Sequence, residues 1–133
     1  MVAAWSRHGK VGRMYARVTR FEGSDPATLR QEIDGMRTQM EGGLTDEAID
    51  QMAEQVKDRF ERDEVERLFK SIKRTLVLTD SQKGSSAMVV FCETEDDVRG
   101  VDALFDAMSP GEGGGKRQSA DIYEVSIDQR FDG

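Results

Sequence analysis

Apolar and polar positions alternate with a period of two in "MYARVTRFEG", residues 14–23, which predicts a strand over about 14–22. One face holds Ala16 and Val18, the other Tyr15, Arg17, Thr19 and Phe21. The period then changes. In "GSDPATLRQEIDGMRTQMEGG" the apolar residues Leu29, Ile33, Met36 and Met40 recur at helical spacing. Ser24 or Asp25 can cap that helix, Pro26 suits its first turn, and Gly42 and Gly43 end it. Residues 44–72 are helical again, capped by Thr45, but carry two stripes slightly out of phase. Ile49, Met52, Val56 and Phe60 form one, and Val65, Leu68, Phe69 and Ile72 the other, so a break is expected near 61–64. "KRTLVLTD" predicts a strand over about 73–80, "SQKG" a turn, and residues 85–93 a returning strand. Thr94 then caps a helix whose stripe is Val98, Val101, Leu104, Phe105 and Met108. "SPGEGGGKRQ" has the composition of a loop, and "SADIYEVSID" predicts a last strand over 119–128. That strand puts Tyr123, Val125 and Ile127 on one face and Ile122, Glu124 and Ser126 on the other.

Omitting the extra helical segment at about 41–72, the order is β-α-β-β-α-β, a ferredoxin-like α+β fold with a four-stranded antiparallel sheet. The two main helices are expected to cover one face of that sheet. In the strand at 85–93 both faces are apolar: Ala87, Val89 and Phe91 point one way, and Met88, Val90 and Cys92 the other. Burying three such side chains contributes roughly 4–6 kcal/mol, an upper bound at ~1.5–2 kcal/mol each. A second sheet is therefore expected on the bare face, and a second copy of the chain is its simplest source, so the expectation is a homodimer.

At 133 residues the chain has the length of one domain, expected over 14–128, with tails at 1–13 and 129–133. Charged residues make up 34% and the net charge is −7, which argues against a nucleic-acid backbone as partner. No apolar run reaches a membrane span. The single cysteine, Cys92, suits a reducing, cytoplasmic setting, and burial is expected to leave it inert. With one histidine, no CxxC and no histidine pair, neither a metal site nor another cofactor is expected. The acids Glu95, Asp96 and Asp97 are read as first-turn helix acids, not as metal ligands. The chain contains no asparagine.

"MYARVTRFEG", "LVLTDSQKG", "VVFCETEDDVRG" and "DIYEVSID" together resemble the dimeric α/β-barrel superfamily, in particular its antibiotic biosynthesis monooxygenase-like domains. The resemblance covers about 14–36 and 73–128 and lies mostly in the order of segments. It implies two sheets facing each other across a dimer axis, with one pocket per subunit. Members include cofactor-free oxygenases of aromatic polyketides, haem-degrading enzymes and small isomerases. The haem-degrading set of Asn, Trp and His is not matched, since Asn is absent and Trp5 and His8 fall in the N-terminal tail.

The expected ligand site is the face carrying Tyr15, Arg17, Thr19 and Phe21, with Tyr123 joining it, and the expected ligand is a small aromatic or lactone-like molecule. Arg17 would attract an enolate, phenolate or carboxylate. The competing reading has Tyr15 and Tyr123 packed at the dimer seam and Arg17 paired with an acid. Three functions stay open: a cofactor-free oxygenase or isomerase, a non-catalytic binder of a small ligand, and an interaction module that docks through its acidic extra helices.

Overall fold

The structure, a computed structural model, describes residues 14–23, 25–108 and 116–131. The expectations for residues 1–13, including Trp5 and His8, lie outside the described residues, as do Ser24 and most of the glycine-rich run.

Four strands form one antiparallel sheet in the order β2-β3-β1-β4: β1 (Met14–Glu22), β2 (Ile72–Asp80), β3 (Ser85–Cys92) and β4 (Lys116–Val125). The helices are α1 (Pro26–Glu41), α2 (Asp46–Gln55), α3 (Arg62–Ser71) and α4 (Glu95–Met108). Strand order and helix placement are compatible with a ferredoxin-like fold.

Local chemistry explains the helix starts. The Asp25 carboxylate accepts from the Ala27 and Thr28 N–H groups, at 3.4 and 3.1 Å. Thr45 Oγ1 accepts from Ala48 N–H at 3.1 Å, and Thr94 Oγ1 from Asp97 N–H at 3.0 Å. α1 stops at Gly42, and Gly43 takes a positive φ of 77° that a side chain would resist. Between α2 and α3 the chain leaves the helix at 56–61, earlier than the break expected at 61–64. Val56 is buried in this connection and Phe60 half-buried, so the two out-of-phase stripes converge on one core.

That core lies between α2, α3, α4 and one face of the sheet. Ile49, Ala53, Val65, Leu68, Val98, Val101 and Leu104 pack on Val90 and Cys92. The supposed insertion thus fills the position expected of α1. Leu29 alone is buried in α1, and Met40 is 50% exposed. The reason lies in the inward side of α1. Glu32 falls between Leu29 and Met36, and its Oε1 is buried without a hydrogen-bond partner among the described residues. A helix face that carries a carboxylate gains less from burial than the unbroken Val65 and Leu68 face of α3.

β4 begins three residues before its expected start and ends three before its expected end. Lys116 pairs with Glu22 and Val125 with Met14, so β4 runs the length of β1 and stops where its partner does. Ile127 lies beyond the strand and is 72% exposed.

Candidate functional site

The sheet register sorts the chemistry onto two faces. On the helix-covered face Tyr15 stands beside Cys92 and Glu124, Arg17 beside Val90 and Ile122, and Thr19 beside Met88 and Ala120. Tyr15, Met88 and Ile122 pack against the core there. Arg17 is only 2% exposed. Its Nε donates to Asp102 Oδ1 at 2.7 Å and its Nη1 to Thr19 Oγ1 at 2.7 Å. Its Nη2 lies 3.8 Å from Asp106 Oδ1, and its guanidinium carbon 5.2 Å from the Phe105 ring centre. Asp106 also pairs with Arg117 at 2.6 Å. The donors of Arg17 are thus engaged by α4 and by Thr19, and the network ties β1 and β4 to that helix.

The residues of the expected site are thus divided between the two faces. Tyr15, Arg17 and Thr19 share a face, but it is the face closed by helices, and Arg17 takes the acid-paired alternative. Tyr123 does not join them: it is the neighbour of Ala16, on the opposite face, and 52% exposed. Phe21 is half-buried at the end of β1, where the pairing with β4 shifts register. It borders a shallow cleft of about 280 Å³ together with Arg20, Glu22, Leu78, Asp80 and Ala87.

Among the described residues no helix packs on the opposite face, and its three central rows can be read across the strands β2-β3-β1-β4. The first is Arg74, Phe91, Ala16 and Tyr123; the second Leu76, Val89, Val18 and Asp121; the third Leu78, Ala87, Arg20 and Ser119. The middle is apolar: Leu78 is 53% exposed, Leu76, Val89, Phe91 and Val18 are half-buried, and Ala16 is buried. None of Phe91, Val89, Leu76 and Tyr123 belongs to the helix-side core. Arg74 seats its guanidinium over Phe91, 5.7 Å from the ring centre. A register shift between Ile72 and Arg74 brings Arg74 opposite Phe91.

Cys92 is fully buried under α3, with its Sγ 3.9 Å from Ser71 Oγ, and burial pushes its thiol up from its ordinary value. A thiol held neutral in this way is a poor nucleophile, in keeping with the inert reading. Glu95 pairs with Arg99 and Asp97 with Arg67. Among the described residues, no group of three or more His, Cys, Asp or Glu side chains is placed to hold a metal ion. No helix among them is long and apolar enough to cross a membrane.

The extra helices offer little apolar docking surface. Leu68 is buried, and Phe60 and Phe69 pack half-buried against the core. The outward side of the α2–α3 junction is ionic: Arg62 donates to Asp50 at 2.5 Å and to Glu66 at 2.9 Å. These acids hold Arg62 above its usual range, while Lys70, with Arg62, lowers Glu66.

The sequence reasoning missed Arg74, and it missed Asp102 and Asp106. The acid pair had a signal: two aspartates four apart on α4, flanking its apolar stripe. Arg74 had only its place in the β2 alternation, and the face that alternation selects depends on the register.

Comparison with protein-family models, with curated proteins and with solved structures finds no match to this chain.

Proposed function

We propose that the chain binds a small, flat, largely apolar ligand between two copies that meet through the bare faces of their sheets. The observation that carries this reading is the apolar grid of Leu76, Leu78, Val89, Phe91, Val18 and Tyr123, on which no described helix packs. A four-stranded face of this length projects roughly 550 Å², from strand spacings of about 4.8 Å and rises of about 3.3 Å. Side-chain relief raises that toward the ~800 Å² per partner of an ordinary stable interface. The chain's net charge of −7 opposes association in general, and a face that meets its own copy also meets its own charge. Its three central rows hold two arginines, Arg20 and Arg74, against one acid, Asp121. In such a barrel Tyr123 is the one residue of the expected site that would line the enclosed space.

A second reading, a cofactor-free oxygenase acting on an aromatic substrate, gains one observation. Such chemistry needs a base to form a carbanion. The sequence showed no obvious one, whereas the register puts Asp121 on the bare face, two residues from Tyr123. With Leu68 buried and Phe60 and Phe69 half-buried, the interaction-module reading rests on the acidic surface of the extra helices alone.

The test is sedimentation equilibrium at micromolar concentration, followed by thermal shift and oxygen uptake with a panel of phenols, quinols and lactones. A dimer that is stabilised by some of these compounds without consuming oxygen supports the binding reading. Turnover lost in Asp121→Asn selects the oxygenase. A chain found only as monomer removes the enclosed site.

A further inference from the structure

We infer that the ligand of this face bears a carboxylate on a flat ring system, and that Arg74 reads it. The inference rests on the reading that a second copy closes the face. Arg17, Arg37, Arg62, Arg67, Arg99 and Arg117 each hold an ion pair with a carboxylate. No such pair reaches Arg74 among the described residues, nor Arg20, Arg30, Arg59 or Arg130, and of these five Arg74 is the one seated over an aromatic ring. Its row offers Phe91, Ala16 and Tyr123, none of them anionic. The next position along the bare face, beyond Ala16 and Tyr123, holds Met14 paired with Val125, while two residues after Phe91 the chain leaves β3 at the exposed acid Glu93, which forms no ion pair with Arg74. Arg20, at the other end, is placed differently, because Glu22 and Asp80 line the same cleft. Asp121 is three strands from Arg74, on the order of 14 Å at ordinary strand spacing.

In the open chain, water solvates Arg74. Closing the face removes that water, and a guanidinium enclosed without a counter-charge is strongly unfavourable. An anion must then come to it from the ligand, from the second copy or from Glu93 at the end of β3. The geometry favours the ligand. Phe91 already holds the guanidinium by its face, which leaves the edge of the fork free for two parallel hydrogen bonds to a carboxylate. Beside it, Ala16 is the one small side chain of the row, flanked by two rings. Ala16 is itself only 5% exposed, so a flat ring would rest above it on Phe91 at one side and Tyr123 at the other, with the phenol hydroxyl available for a hydrogen bond.

The probes are 2-naphthoate and its neutral isostere 2-naphthamide, titrated calorimetrically into the full chain, with sedimentation run on the same samples. Naphthoate is expected to bind at least about tenfold more tightly than naphthamide, the lower end for a charge-assisted fork. Arg74→Met should remove that difference while leaving the dimer intact, and Arg74→Lys should restore part of it. Equal affinity for the two probes, binding of neither by a dimeric chain, or a difference that survives Arg74→Met overturns the inference. So does a dimer weakened by Arg74→Met, because Arg74 would then be paired with a carboxylate of the second copy. A wild-type chain that sediments only as monomer fails one step earlier, at the enclosed site itself.

Discussion

Arg17 and Arg74 are the same residue type on strands of one sheet, and alternation gives them opposite tasks. Arg17 points under α4 and spends its donors on Asp102 and Thr19. Its removal should therefore affect the fold and leave recognition alone. Asp102 and Asp106 keep 30% and 45% side-chain exposure, so water can recover much of their solvation when the cation is gone. Arg17→Met is thus expected to cost about 1–3 kcal/mol, below the full penalty of breaking a deeply buried pair, as read by urea denaturation. A change under ~0.5 kcal/mol would mean that the network contributes nothing beyond packing. Cys92 supplies a second check at this scale. Its thiol lies above the ordinary 9.0 because burial disfavours the thiolate. The neutral thiol's contribution to stability is therefore complete below pH 9 and is lost as pH rises through the higher folded value. At pH 8 iodoacetamide should modify the native chain at least ~100-fold more slowly than the urea-unfolded chain, since reaction needs an opened state. Equal rates would place Cys92 within reach of solvent.

Among the elements, α3 and α4 pack closely enough that a glycine is required between them. A Cβ on Gly100 would fall 2.6 Å from Leu68 Cδ2, so the Leu68 side chain, 1% exposed in the core, would have to shift. Gly100→Ala should lower stability by about 1–2 kcal/mol, overpacking outweighing the helix-propensity gain. Gly35→Ala, on α1 with nothing within 4 Å of its Cβ, should raise it by about 0.5–1 kcal/mol. The same sign for both would remove the close-packing argument. α1 itself, with only Leu29 buried, should be the helix whose amides exchange fastest, ahead of α3 and α4. Much of this was legible in the sequence. Asp25, Thr45 and Thr94 cap where their residue types suggest, β1 has its expected span, and the phase slip in residues 44–72 does mark a break. The choice of helices for the core was not legible, because Leu29, Ile33, Met36 and Met40 form as regular a stripe as the helices that fill it, and Glu32 beside them carries the one signal against burial. The candidate site was half legible. The doubly apolar β3 announced a bare face, but Val89 with Phe91 and Val90 with Cys92 are equally apolar. Nothing local says which pair takes the helices. The polar set Arg17 and Thr19 resembled a cavity lining until Asp102 and Asp106 arrived from a helix 85 residues further on.

For the whole molecule, the two apolar faces of β3 make a paired experiment possible with neighbouring residues of one type. Val90 is 1% exposed in the helix-side core, beside Cys92, Val98 and Leu104. Val89 lies in the middle row of the bare face, between Leu76 and Val18. Aspartate at position 90 puts an unpaired charge into the core, which costs several kcal/mol against a total of about 5–15 kcal/mol. Val90→Asp is expected to be insoluble or unfolded. In the separated chain, aspartate at position 89 meets water, so the fold should survive. What it opposes is closure, where two copies would each bury a carboxylate in an apolar centre. Val89→Asp should therefore keep its far-ultraviolet circular dichroism, cooperative melting and slow Cys92 alkylation, and sediment as a monomer. The same protein should lose the thermal shift given by any ligand that stabilises the wild type, since the enclosed site needs both sheets. If Val89→Asp remains a dimer with its ligand response intact, the copies meet elsewhere and the grid of Phe91, Val89 and Tyr123 is not the lining of the site. If it unfolds as completely as Val90→Asp, the bare face is part of the monomer's own core.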